Sequence, residues 1–203
     1  MSSVVIKGDT SGQTTLTVPA VAGTNTLTLP SVTATIATNT NGDLYPLTSG
    51  TAVASTSGTS IDFTSIPSWV KRITVMFNGV STSATSLVQF QLGTGATPTY
   101  TTSGYASTSS FIGPTSVTSA TVTSGFALNN WNNAANVGYG AIVFTLLTGT
   151  TWVASGVIAT TNAAQTFTVG GSIALAATLT AVRITTVGGT DTFDAGSINI
   201  LYE

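Results

Sequence analysis

The chain has 203 residues, with four Lys or Arg, six Asp or Glu, and no His or Cys, so formal charge sits on 5% of its side chains, against about 25% in an ordinary soluble domain. That length suits one all-β domain with a smaller appendage. The missing Cys exclude disulfides, and a net charge of −2 with only Lys71 and Arg72 adjacent excludes a phosphate-binding stripe and a nucleic-acid partner.

The first strand is expected at Ser3–Lys7, followed by the turn GDTSG at 8–12. Two near-copies of one phrase come next, TLTVP at 15–19 and TLTLP at 26–30, joined by AVAGTN, with a weaker echo in SVTATIAT at 31–38. Alternating Thr and aliphatic residues give each phrase one apolar edge, and the closing Pro ends its capacity to donate to a ladder. Units this short cannot bury that edge alone; they gain stability when copies stack or several chains wind together. Residues 1–38 are therefore expected to be completed by other copies of the chain. The run NTNGDLYPLTS at 39–49 reads as a connector, because Asn41-Gly42-Asp43 is a strong turn signal and Pro46 blocks regular pairing.

Residues 50–203 are long enough for one β-sandwich of jelly-roll type with nine or ten strands. Strands are expected at 59–64, 72–80, 87–93, 116–128, 140–147, 151–159, 165–169, 179–187 and 196–202, separated by Gly, Asn, Ser or Pro. Ile73, Val75 and Phe77 alternate against Thr74 and Met76, and Ile198 and Ile200 alternate against Asn199 and Leu201. No stretch offers an amphipathic helix of ten or more residues. The apolar run at 141–147 is far short of the roughly 20 residues of a spanning helix, and MSSVVIKGD has no basic start followed by a long apolar stretch. Neither membrane insertion nor a secretory signal is expected. A surface so poor in charge lacks the usual defence against sticking to neighbours, and suits a symmetric assembly better than a lone monomer.

Without His or Cys, the commonest general base and the strongest nucleophile are absent. The close acidic pair Asp191 and Asp194, between GGT and FDAG, reads as a solvated hairpin turn rather than the paired carboxylates of a glycan hydrolase. No catalytic residue, metal site or cofactor is expected, since the acids are too scattered for a calcium loop. Asp62 is expected to pair with a cation such as Arg72. Trp152 reads as a core residue, and Trp69 as the anchor of a loop against the sandwich. Gly170-Gly171 and Gly188-Gly189 read as turns. Trp131 lies in LNNWNNAANVGYG among Asn129, Asn130, Asn132 and Asn133. An exposed indole among amides can stack on a pyranose while the amides take its hydroxyls; the reading favoured over it is an Asn-rich turn whose Trp tucks inward.

The segments SIDFTSIPSWVKRITVMFNGVSTSATSLVQFQLG at 60–93, TWVASGVIA at 151–159 and VRITTVGGTDTFDAGSINILYE at 182–203 resemble the C-terminal domain common among tailed-bacteriophage fibre and other virion surface proteins. The opening, 5–36, resembles the N-terminal stretch frequent in phage structural proteins. The resemblance implies a non-enzymatic homotrimeric appendage of the virion, and the missing secretory signal gives the expectation that it is made in the host cytoplasm. Its N-terminus would dock onto capsid, portal or tail through Val4, Val5, Ile6, Leu16, Val18, Leu27 and Leu29, and its β-sandwich would project toward a host surface glycan. A tail fibre usually has a longer shaft than the connector at 39–49, so a head fibre or a capsid decoration protein without a receptor role is the alternative; a glycan depolymerase is the reading the missing carboxylate pairs disfavour.

Overall fold

The computed structural model describes residues 3–7, 13–17 and 47–203. The chain divides into two compact units, Met1–Leu44 and Tyr45–Glu203. In the first, β1 (Ser3–Lys7) and β2 (Gln13–Thr17) pair antiparallel, with Val4 opposite Leu16, Val5 opposite Thr15 and Ile6 opposite Thr14. The second TLTLP phrase, with Leu27 and Leu29, lies outside the described residues, as does Val18.

The second unit is all-β, and no helix occurs among the described residues. Its strands are β3 (Thr48–Ser49), β4 (Val53–Ala54), β5 (Ser60–Phe63), β6 (Arg72–Thr82), β7 (Val88–Thr94), β8 (Thr99–Tyr100) and β9 (Ala106–Ile112). They continue as β10 (Val117–Val122), β11 (Phe126–Ala127), β12 (Gly138–Thr148), β13 (Thr151–Thr160), β14 (Gln165–Ala174), β15 (Leu179–Thr186) and β16 (Phe193–Tyr202). One sheet of nine strands runs β10-β9-β14-β13-β12-β6-β16-β3, with β4 also on β16; the other, of five, runs β11-β7-β15-β5, with β8 on β7.

Period-two alternation sorts each strand between core and solvent. On β6, Ile73, Val75 and Phe77 are buried while Arg72 and Asn78 are exposed; on β16, Ile198 and Ile200 are buried. Phenylalanines from the two sheets alternate through the core. Phe77 of β6 meets Phe90 of β7 at 5.5 Å between ring centroids, Phe90 meets Phe144 of β12 at 5.9 Å, and Phe144 meets Phe126 of β11 at 5.6 Å. Burying each such ring contributes about 1.5–3 kcal/mol, so this chain of rings locks the sheets face to face. Trp152 is buried in the same core, and Trp69 packs against it with its ring 5.9 Å from that of Tyr202.

Several expectations are corrected. Residues 116–128 are not one strand: the triplet Thr123-Ser124-Gly125 divides them into β10 of the larger sheet and β11 of the smaller. Strand β9 was not expected, because its inward positions are Ser107, Ser109 and Phe111, which lack apolar alternation. Gly170 and Gly171 lie inside β14, not in a turn; a Cβ on Gly171 would stand 2.3 Å from the Ala106 carbonyl oxygen of β9, so close strand approach requires glycine there. Asp62 pairs with Arg183 rather than Arg72, because β5 lies beside β15; Arg72 pairs with Glu203.

Candidate functional site

Trp131 lies between β11 and β12 and is 0% exposed. Its ring packs 5.0 Å from that of Phe167 on β14, and a Cβ on Gly138 would collide with it, so glycine opens the slot the indole fills. The sugar-stacking platform is therefore corrected: an indole with no exposed face cannot stack on a pyranose, and the inward-tucked turn, the reading the sequence favoured, is what forms. The amides around it hold the loop. The Asn129 backbone N–H donates to Ser109 Oγ at 3.0 Å and its Nδ2 to Thr118 Oγ1 at 3.1 Å, Asn132 Nδ2 donates to Asn130 Oδ1 at 2.9 Å, and Asn133 Oδ1 accepts from the Ala135 N–H at 2.9 Å. Asn130 takes a left-handed conformation (φ 62°) that Asn tolerates.

The two hairpin acids act apart. Asp191 Oδ2 accepts the Ser86 N–H at 2.7 Å, and Asp194 Oδ1 accepts from Ser81 Oγ. Asp194 ties β16 to the end of β6, and Asp191 ties the turn before β16 to the segment following β6. Among the described residues no three of His, Cys, Asp or Glu gather as a metal site, and no helix is long and apolar enough to cross a membrane.

Two outward faces carry more chemistry. The first belongs to the nine-stranded sheet. Cross-strand registry sets Met76, Ala141, Val157, Thr168 and Ser110 in one row from β6 to β9, and Thr74, Val143, Ser155, Gly170 and Thr108 in the next. Tyr139, Ala159, Thr166, Ile112 and Val117 make a third row, and Arg72, Thr145, Val153 and Ser172 a fourth. Arg72 is the single formal charge in the four rows. Tyr139, Val157, Ile112 and Val117 are exposed.

The second face belongs to the five-stranded sheet, where registry aligns Asp62, Arg183 and Gln91 in one row and Ser60, Thr185 and Gln89 in the next. Arg183 grips Asp62 through two parallel bonds, Nε to Oδ1 at 2.8 Å and Nη2 to Oδ2 at 2.7 Å, and its guanidinium lies 3.9 Å over the Tyr100 ring. The hydrogen bonds to Asp62 push the Arg183 pKa up, while burial, followed by the Asp62 charge, pushes the Tyr100 phenol up to about 12. Gln89 and Gln91 are 3% and 6% exposed although both point away from the core. The turn before β11 explains this: Gln91 Nε2 donates to the Ser124 carbonyl at 2.9 Å, and Ser124 Oγ donates to Gln89 Oε1 at 2.9 Å. Gln89 Nε2 also donates to the Thr186 carbonyl at 3.3 Å. These side chains line a groove of about 250 Å³ with Ser60, Thr185, Thr186, Val187 and Gly189. The sequence had singled out none of them as a site, and the only available signal was two glutamines in a strand otherwise made for burial.

No family model, curated protein or solved structure matches this chain.

Proposed function

We propose that the chain is a non-enzymatic structural protein of a tailed-bacteriophage virion, a homotrimeric fibre that docks through its N-terminal segment and displays the β-sandwich for attachment to a host surface glycan. One observation carries this reading: the outward face of the nine-stranded sheet holds one formal charge in four rows while exposing Tyr139, Val157, Ile112 and Val117. An antiparallel sheet whose outer face meets water ordinarily carries polar and charged residues there, and an extended weakly polar face marks an interaction site. Five strands about 4.8 Å apart and ten residues long at about 3.3 Å per residue span about 800 Å², the area a stable interface takes from each partner. Three such faces turned toward a common axis would bury one another with no like charges opposed. Linking three identical heads then raises weak attachment by avidity, about 10²–10⁴-fold over one site. The test is light scattering on the purified chain, which is expected to give three times the 20.4 kDa chain mass; a clean monomer at micromolar concentration would overturn the reading.

The short connector at 39–49 favours a second reading within the same class, a head fibre or capsid decoration protein. Particles lacking the protein would then adsorb normally, whereas loss of a receptor-binding fibre abolishes adsorption.

A further inference from the structure

We propose that the groove on the outward face of the five-stranded sheet binds a single ring of a neutral saccharide. A sugar ring presents hydroxyls that both donate and accept, so its site needs groups of both kinds in a fixed arrangement. The groove supplies the amide of Gln91, the remaining N–H of Gln89, the hydroxyl of Ser60, the hydroxyl oxygen of Thr185, whose proton goes to the Thr59 carbonyl, and the guanidinium of Arg183. Two of the five guanidinium N–H groups are taken by Asp62, leaving three over. Gln91 donates through Nε2, leaving its Oε1 to accept. Thr186 also borders the groove, where its carbonyl oxygen accepts from Gln89 Nε2 at 3.3 Å, while its side chain points to the core with Val182 and Ile184.

Charge and size narrow the ligand. Asp62 neutralises Arg183 at 2.7 Å, so the groove offers an anion no uncompensated cation, and a phosphate or carboxylate would meet Asp62. Val187, exposed at the rim, presents apolar surface to the C–H face of a ring. A volume of about 250 Å³ lies just below the roughly 300–1,000 Å³ of sites for larger ligands, which suits one ring rather than a chain of them. Preorganisation favours binding as well: the Asp62 clamp and Tyr100 hold Arg183, and Ser124 holds both glutamines, so few rotamers remain to be frozen.

The placing of this groove at the host surface rests on the fibre reading above; the binding itself does not. Saturation-transfer NMR on the full chain, with glucose, galactose and N-acetylglucosamine separately and glucuronate beside them, tests it. Transfer to at least one neutral sugar is expected, with glucuronate weaker. Gln91→Leu should weaken that binding by about tenfold, and Val187→Trp, at an exposed position that leaves the core untouched, should abolish it by filling the groove. Absence of transfer from all three neutral sugars, preference for glucuronate, or transfer unchanged in Val187→Trp would overturn the proposal. A trimer with no transfer sinks the groove alone, whereas a monomer whose transfer is lost in Val187→Trp sinks the fibre reading alone.

Discussion

At Trp131, local composition and tertiary packing pull in opposite directions. Four asparagines around an indole look like a polar loop presenting a ring, yet the ring fills the space above Gly138 and beside Phe167 because its transfer from water outweighs the polarity of its neighbours. Trp131→Ala should therefore cost about 3–5 kcal/mol and lower the midpoint of thermal unfolding followed by circular dichroism. An unchanged midpoint would contradict the buried placement. Tyr105 offers a different test. Its hydroxyl accepts the Leu92 N–H at 2.9 Å, and burial pushes its pKa up to about 12. A phenol harder to ionise folded than unfolded stabilises the protein fully below pH 10 and loses that contribution as pH rises toward 12, because the unfolded chain gives up its proton first. Denaturant unfolding should thus weaken between pH about 10 and about 12. Tyr105→Phe should flatten part of that fall, Tyr100 supplying the rest, and should cost about 1–2 kcal/mol at neutral pH for the lost bond to Leu92.

Among the elements, strands with regular apolar alternation were legible and strands without it were not. β6 and β16 announce their inward faces through Ile73, Val75, Phe77, Ile198 and Ile200. β9 turns Ser107 and Ser109 inward, so its pattern gives no apolar signal, and only pairing with β14 and β10 makes it a strand. The same pairing explains Gly171. Glycine doublets are ordinary turn signals, but here β14 passes so close to β9 that a Cβ would also meet Ser107 Cα at 2.8 Å. Since both obstructing atoms belong to backbone, Gly171→Ala must push the strands apart and should destabilise the unit by about 1–3 kcal/mol, whereas the same change at exposed Gly149, where a Cβ would meet nothing, tests only the cost of its left-handed turn (φ 55°). Equal losses at both sites would remove the close-approach argument.

For the whole molecule, the division of labour between two outward faces is the main consequence of the fold. The larger sheet offers breadth with little charge, the smaller a polar groove with its one ion pair compensated. In the proposed assembly the first face turns inward and the second stays outward. Val157→Asp, at an exposed position central to the larger face, should dissociate the trimer to monomer by light scattering while leaving the thermal midpoint of the isolated unit nearly unchanged, since surface substitutions usually stay within about 0.5 kcal/mol. The wild-type mass should hardly respond to salt, because few exposed charges are there to screen. A Val157→Asp chain that still runs at three times the chain mass would place the interface elsewhere.

The sequence by itself determined the all-β class, the inward sets of its alternating strands, the core position of Trp152 and the packing of Trp69 against that core, because period-two burial and turn residues act over a few neighbours. It also determined the scarcity of charge, which composition alone expresses. Only the tertiary structure decided that Trp131 is buried, that Asp62 meets Arg183, and that Gln89 and Gln91 line one groove with Thr185. Each of those depends on which strands lie side by side, from Trp131 against Phe167 to Asp62 against Arg183, 121 residues apart in the chain, and strand order is a property of the folded sheets that no local pattern encodes.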